Sequence, residues 1–351
     1  MPEQAWICGI GMITPIGDCT AQTIASARAG INRYQQSSVL NKNFEPMTLA
    51  LLPEDALPPL NEAMPAVPGL TSRQSRMLRL ADPALREALK SLPIGVKVPL
   101  YMAVPEQLAG LAPPVTYAFL DHLLMQTGLP IERQESRLTP TGRAGVFYAI
   151  SAALDYLEQH PQAYVLVGGV DTYLDLQLLG RLDVEDRVLA NGVMNGFVPG
   201  EGAGFLLLCT EQLRAAKGIE VSAKVYKPGM GVEPGHRYSA EPYLGDGLAD
   251  SIRSALEQGA PTPVRSVFSS LNGENFGTKE WGVSVLRNTA RLDPSFRLEH
   301  PADGFGDTGA SAGPLLIGLA AAGLRNGSVH GPALVWCASE GQHRGAVCVS
   351  L

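Results

Sequence analysis

The sequence predicts a layered α/β protein built on a mainly parallel sheet. Three observations support that expectation. Short apolar stretches of strand character alternate with helical patterns along the whole chain, the order that gives parallel sheets covered by helices. One of them, Ala163-Tyr-Val-Leu-Val-Gly-Gly-Val-Asp171, is apolar at nearly every position, as expected of a strand buried on both faces. Two helical stretches, 137–157 and 304–324, begin at glycine-containing turns. The second consists largely of small residues, which suit a helix packed closely between layers.

Length and composition bound the function. With 351 residues, 45% hydrophobic and 17% charged, the chain is long enough for two domains or one large layered domain. A net charge of -7 and a pI near 5.4 argue against nucleic acid or an anionic membrane surface as partner. The five cysteines lack CxxC spacing and read as reduced core residues of a cytoplasmic protein. The N-terminus lacks signal-peptide character, and no apolar run reaches the roughly 18 residues of a membrane span.

In chain order, 5–13 reads as a buried strand and 20–29 as a helix capped by Gly30. Residues 41–70 read as a surface excursion, 71–90 as an amphipathic helix, 98–104 as a strand and 115–129 as a helix. After the 137–157 turn and helix come strands at 163–171 and 196–209. The 196–209 stretch crosses from a glycine-rich loop into its strand, so its glycines read as packing residues and not as a phosphate cradle. The second half repeats the plan with strand 219–226, helix 248–258, strand 264–271, helix 304–324 and a terminal pair of strands at 333–337 and 345–351.

The turn before the 145–157 helix is the natural place for chemistry, because unsatisfied N–H groups at a helix start create a positive local field. A thiol there would be a strong nucleophile. The turn holds Thr139, Thr141, Gly142, Arg143, Ala144 and Gly145, with no cysteine. His122, His160, His236, His300 and His330 are isolated in sequence, and no pair has metal-ligand spacing. Neither a metal nor a cofactor is expected.

Four segments carry a family resemblance: Ile7-Cys-Gly-Ile-Gly-Met-Ile-Thr-Pro-Ile-Gly17, the strand with Gly168-Gly169, Gly196-Phe-Val-Pro-Gly-Glu-Gly-Ala-Gly-Phe-Leu-Leu-Leu208, and Ala338-Ser-Glu-Gly-Gln-His-Arg-Gly-Ala346. The chain resembles β-ketoacyl synthases of the thiolase superfamily. That resemblance implies a thiolase-like five-layer α/β/α/β/α fold of two pseudo-repeated halves, here 1–215 and 216–351. It also implies a cysteine and two histidines acting on acyl chains carried by phosphopantetheine. The cysteine position falls on Arg143, or on Thr141 under a shifted alignment; the histidine positions fall on Asn272 and Asp307; the nearby lysine is replaced by Ala302 or Asp303.

Condensation needs a thiolate to hold the acyl group and two donors to stabilise an enolate. Replacement of all three groups points to a non-catalytic protein, with Thr141, Arg143, Asn272 and Asp307 as degenerate positions and a buried Arg143–Asp307 ion pair filling the old pocket. The segment 272–282 resembles, more loosely, the degenerate thiolase-like proteins of bacterial type VI secretion clusters. This implies an adaptor or chaperone that loads a secretion effector, with Phe276 and Trp281 as candidate interface anchors. Two alternatives stand beside it: a chain-length-factor-like subunit partnering an active synthase, and a residual acyltransferase using a non-cysteine nucleophile, either Thr141, with His343 as the visible candidate base, or an unrecognised group. Family synthases dimerise through the strand before the nucleophile turn, but the very polar 132–137 argues against that homodimer here.

Overall fold

A computed structural model describes residues 3–64, 67–259 and 262–351. The first half contains β1 (Gln4–Ile13), α1 (Thr20–Arg28), a small hairpin of β2 (Gln35–Leu40) and β3 (Pro46–Leu49), and α2 (Ser72–Ala88). It continues with β4 (Leu100–Ala103), α3 (Ala118–Thr127), β5 (Arg137–Thr139), α4 (Gly145–Gln159), β6 (Tyr164–Thr172), α5 (Leu176–Val184) and β7 (Glu201–Cys209). After α6 (Glu211–Lys217) come β8 (Ala223–Tyr226), β9 (Gly229–Val232), α7 (Asp246–Gly259), β10 (Val264–Ser269) and α8 (Asn275–Asn288). The chain ends with β11 (Leu292–Glu299), α9 (Ala302–Phe305), α10 (Ala312–Arg325), β12 (Ala333–Ala338) and β13 (His343–Ser350).

The strands run in the order β11-β10-β12-β13-β8-β1-β7-β6-β4-β5, with β9 also paired to β13. Numbered within each half, the five principal strands obey one rule: third, second, fourth, fifth, first. The halves meet where β1 pairs antiparallel with β8, from Gln4 opposite Tyr226 to Ile7 opposite Ala223. The division expected at 215/216 falls inside α6, the connection between β7 and β8.

Helices α4 and α10 lie between the two halves and touch strands of both. Phe147, Ile150 and Leu154 of α4 share one buried core with Leu315, Ile317 and Leu324 of α10 and with Val165 and Val347 of the sheets. Helices α2 and α3 cover the outer face of the first half. Helices α7 and α8 cover the second. The result is the α/β/α/β/α layering.

Pairing is parallel at the two ends of the strand order (β4 with β5 and β6; β10 with β11 and β12) and antiparallel through its centre. The sheet is therefore mixed, which corrects the expectation of a mainly parallel one. Strand and helix alternation does not reveal direction, and a connection as short as that between β12 and β13 can only reverse the chain.

Three further expectations need revision. The 41–70 stretch is no mere excursion: it contains β3 and buries Met47, Leu49, Leu52, Leu57 and Met64. Its anchors lie between prolines, so they show no period. Residues 65 and 66 of it, like Met1 and Pro2 of the N-terminal reading, lie outside the described residues. The segment 272–282, given no helix in the chain-order reading, enters α8 at Asn275; Gly277 and Gly282 disguise it, glycine being a poor helix former. The stretch from 304 divides into α9 and α10 with a tight turn between them.

Close approach of strand to helix is also repeated. A Cβ on Gly9 or Gly11 of β1 would stand 2.1 or 1.9 Å from carbonyl oxygens of Ala88 and Ala84 on α2. On Gly229 or Gly231 of β9 it would stand 2.0 or 1.9 Å from those of Ser251 and Gly247 near α7. Backbone cannot yield as a flexible side chain would. Gly11→Ala and Gly231→Ala are each expected to cost about 1–3 kcal/mol in urea unfolding, whereas Gly180→Ala, which meets nothing within 4 Å, is expected to be neutral or stabilising.

Candidate functional site

The two central helices begin alike. Thr141-Gly142-Arg143-Ala144-Gly145 leads into α4 and Thr308-Gly309-Ala310-Ser311-Ala312 into α10. Each passes through a left-handed glycine, Gly142 at φ 62° and Gly309 at φ 53°, then a single 3-10 turn. Only the third position differs greatly, arginine in the first half and alanine in the second.

Arg143 is 5% exposed, and its guanidinium is fully engaged. Its Nε lies 3.0 Å from each Asp307 carboxylate oxygen, and Nη2 donates to Asp307 and, at 3.0 Å, to the Tyr173 hydroxyl. Nη1 donates to Glu340 at 2.9 Å. Asp307 also accepts from Asn272 Nδ2 at 2.8 Å and from the Gly309 N–H at 2.9 Å. The ion pair expected from the sequence is thus present, and Asn272 joins it.

Sequence reasoning missed the second layer of this cluster. Arg187 donates to Glu274 at 2.8 Å through both Nε and Nη2, and to Glu340 at 2.9 and 3.0 Å. Arg237 reaches Glu274 at 3.0 Å. Three arginines, Arg143, Arg187 and Arg237, face three carboxylates, Asp307, Glu274 and Glu340, so the formal charges cancel. The available signal was a carboxylate beside glycine directly after an apolar strand, as Glu340 is. Burial would raise Glu340's pKa, but Arg187 and Arg143 outweigh it and hold the carboxyl well below its usual range. Burial likewise opposes the charge on Arg143, and Asp307 reverses that effect and strengthens it as a cation.

Neighbouring carboxylates hold the backbone around the cluster. Asp171 accepts the Ala310 N–H at 2.9 Å and pairs with Arg73 at 2.9 Å, fixing the turn before α10. Glu201, from the glycine-rich segment, is fully buried and accepts from Arg76 at 2.6 Å, the Leu52 N–H and the Thr172 hydroxyl. Glu106 accepts the Glu340 and Gly341 N–H groups at 2.7 and 3.0 Å. Burial, then the nearby Glu340, push its carboxyl up to about 7.

Thr141 and His343 are not brought together as nucleophile and base. Thr141 Oγ1 is buried without a hydrogen-bond partner, while His343 Nδ1 lies 3.0 Å from the Tyr148 hydroxyl. The Ala144 N–H donates to Ser339 Oγ at 3.0 Å, so part of the helix start is already satisfied. Phe276 is half-buried, stacked on Tyr243 with ring centres 4.1 Å apart. Trp281 is buried and stacked on Trp336 at 5.2 Å, which corrects its place among the candidate interface anchors. The helical form of the segment turns its indole into the core. Cavities of about 50 Å³ beside Gly142 and Tyr173 and about 40 Å³ beside Asn272 and Glu274 flank Arg143. Among the described residues no group of three or more ligating side chains is arranged to hold a metal ion.

Removing one partner of a buried pair leaves an uncompensated charge. Arg143→Met is expected to cost about 3–5 kcal/mol in denaturant unfolding, and Arg143→Met with Asp307→Leu to recover much of it; an Arg143→Met cost below about 1 kcal/mol would refute the pairing. For Glu106 the folded carboxyl binds its proton more tightly than the unfolded one. Its contribution is fully present below the unfolded value, near 4.5, and is lost as pH rises toward about 7. Relative to Glu106→Gln, the native chain should lose urea stability between those two values and run parallel to the variant above them.

No protein-family model and no curated protein sequence matches the chain. Solved structures match it in fold. The ishigamide ketosynthase/chain length factor superposes with a TM-score of 0.76 at 16% identity, covering 100% of this chain and 99% of that one. The AntDE:AntF structure, a type II PKS acyl-carrier protein in complex with its ketosynthase bound to the hexaketide, gives 0.74 at 15% identity, with 100% of both chains covered. The oxazolomycin ketosynthase domain of Streptomyces albus JA3453 gives 0.75 at 14%, covering 99% of this chain and 74% of that one. At these identities the likeness establishes a thiolase-like, ketosynthase-type fold and leaves the chemistry to be read from the side chains.

Proposed function

We propose that this chain is a non-condensing protein of the ketosynthase fold that acts by binding another protein. The observation that carries this reading is the closed charge cluster at the starts of α4 and α10. Arg143 stands where the family resemblance places the nucleophile, Asn272 and Asp307 stand where it places the histidines, and Arg143 and Asn272 both donate to Asp307. A developing enolate beside Asp307 would meet negative charge, and the Arg143 donors that would stabilise it are already occupied. The roughly 50 Å³ beside Arg143 suits a few waters, not an acyl chain. Thr141 has no base, which weighs against a residual acyltransferase.

Different observations support two kinds of partner. The end-to-end match with a ketosynthase/chain length factor supports a synthase subunit, with this chain in the role of chain length factor. The likeness of 272–282 to accessory proteins of type VI secretion clusters supports a secretion effector or its adaptor. Edge strand β5 is only three residues long, and polar residues surround it. It offers little backbone for the usual synthase homodimer. No helix among the described residues is long and apolar enough to cross a membrane.

Incubated with malonyl- or acyl-loaded carrier protein, the purified chain is expected to release no carbon dioxide and to accept no acyl group. Acyl transfer that disappears in Thr141→Ala would overturn the reading. The tagged full chain, purified from its native organism, should hold one protein in fixed stoichiometry by light scattering. A ketosynthase subunit there favours the chain-length-factor role and a secreted protein or its adaptor the loading role; a homodimer with no second protein counts against both.

A further inference from the structure

The open space in this protein lies elsewhere. Between α1, β11 and the C-terminal half of α10 is a cleft of about 510 Å³, ten times the cavity beside Arg143 and within the roughly 300–1,000 Å³ of small-molecule sites. We propose that this cleft binds a linear alkyl carboxylate, with the chain on its apolar floor and the carboxylate at Arg28.

The floor is formed by Ile16, Ile24, Phe268, Leu298, Leu319 and Val329. Ile16, Phe268 and Leu319 belong to the central core, and Ile24 and Val329 pack against it. The floor is thus a stretch of interlayer core that no element covers. Five of its six side chains are aliphatic, which suits methylene groups better than a flat aromatic ligand.

The rim supplies the charge preference. Arg297 pairs with Glu299, and His300 Nδ1 lies 2.8 Å from Asp303, so these four groups answer one another. Arg28, in the last turn of α1, also lines the cleft and forms no ion pair or hydrogen bond among the described residues. One uncommitted guanidinium beside an apolar floor selects a single small anion, and a carboxylate matches its fork. A dianionic head group such as a phosphate monoester would bring a second negative charge towards Glu299 and Asp303.

The mouth is already held in shape. Asn32 Nδ2 donates to the Asp303 carbonyl at 2.6 Å, the Arg33 N–H to the Gly304 carbonyl at 3.0 Å, and the Tyr34 hydroxyl to the Ala302 carbonyl at 2.6 Å. These bonds tie the connection after α1 to α9, so a ligand need not order the walls.

Isothermal titration of the full chain with dodecanoate, below its micelle concentration, tests the proposal. One saturable site is expected. Binding should weaken at least about tenfold in Arg28→Glu, where a charge-assisted contact becomes repulsive, and be lost in Ala27→Trp, which fills the cleft. Dodecyltrimethylammonium should bind at least about tenfold more weakly than dodecanoate. Arg28 is exposed, so Arg28→Glu remains decisive even if Ala27→Trp fails to fold. Uptake without saturation, equal binding of the ammonium compound, or an unchanged titration in Arg28→Glu overturns the proposal. None of these readouts involves acyl transfer or a protein partner, so this site and the proposed function stand or fall separately.

Discussion

Arg143 is held at the start of α4, where it is least welcome. A helix start carries positive partial charge, and Arg143 is both at that end and buried. Asp307 makes the arrangement tenable. Its carboxylate accepts the Gly309 N–H before α10 and several Arg143 donors, so a favourable charge at one helix start offsets an unfavourable one at the other. Because α4 begins in the first half and α10 in the second, this pair fastens the two halves across the middle layer. Glu340 on the β12–β13 turn is fixed through Arg143 and Arg187, and Glu106 is fixed in turn through the backbone of Glu340 and Gly341.

That dependence has a chemical consequence. Active sites keep donors preorganised toward a place where charge will develop. Here the donors are preorganised toward one another: three guanidinium groups, three carboxylates, Tyr173 and Tyr238 satisfy nearly every polar atom without an outside molecule. An anionic substrate would have to displace Asp307 or Glu340 and leave a buried carboxylate unpaired, which is the costly way to break such a cluster.

The layering and most principal strands were legible in the sequence because buried strands and small-residue helices leave compositional marks; β6, buried at all nine positions, is the clearest. Strand direction was not legible, and β11 escaped because Asp293, Pro294 and Arg297 give an edge strand the look of a loop. At the site, Arg143, Asn272 and Asp307 were found through the family resemblance. Glu274, Arg187 and Arg237 were not, because their meeting depends on α8 and the loops after α5 and β9 converging, and an isolated charge in a sequence reads as surface. Trp281 failed for the opposite reason: an aromatic in a polar segment looks exposed until the helix that rotates it inward is known.

The internal repeat sharpens the reading of the site. Both halves use the same strand order, the same close contact of glycine strand on outer helix, and the same threonine-glycine turn before the central helix. Thr141 and Thr308 even leave corresponding hydroxyls unpartnered. Against that background the large divergence is at the residue after the glycine, the next two positions exchanging only small residues. Ala310 lets its turn rest on Asp171 through a backbone N–H, whereas Arg143 extends across the layer to Asp307 and Glu340. The turn itself is required by the architecture wherever a central helix begins. The side chain that the first half places on that turn is therefore the informative one, and here it is a buried cation paired with Asp307 and Glu340.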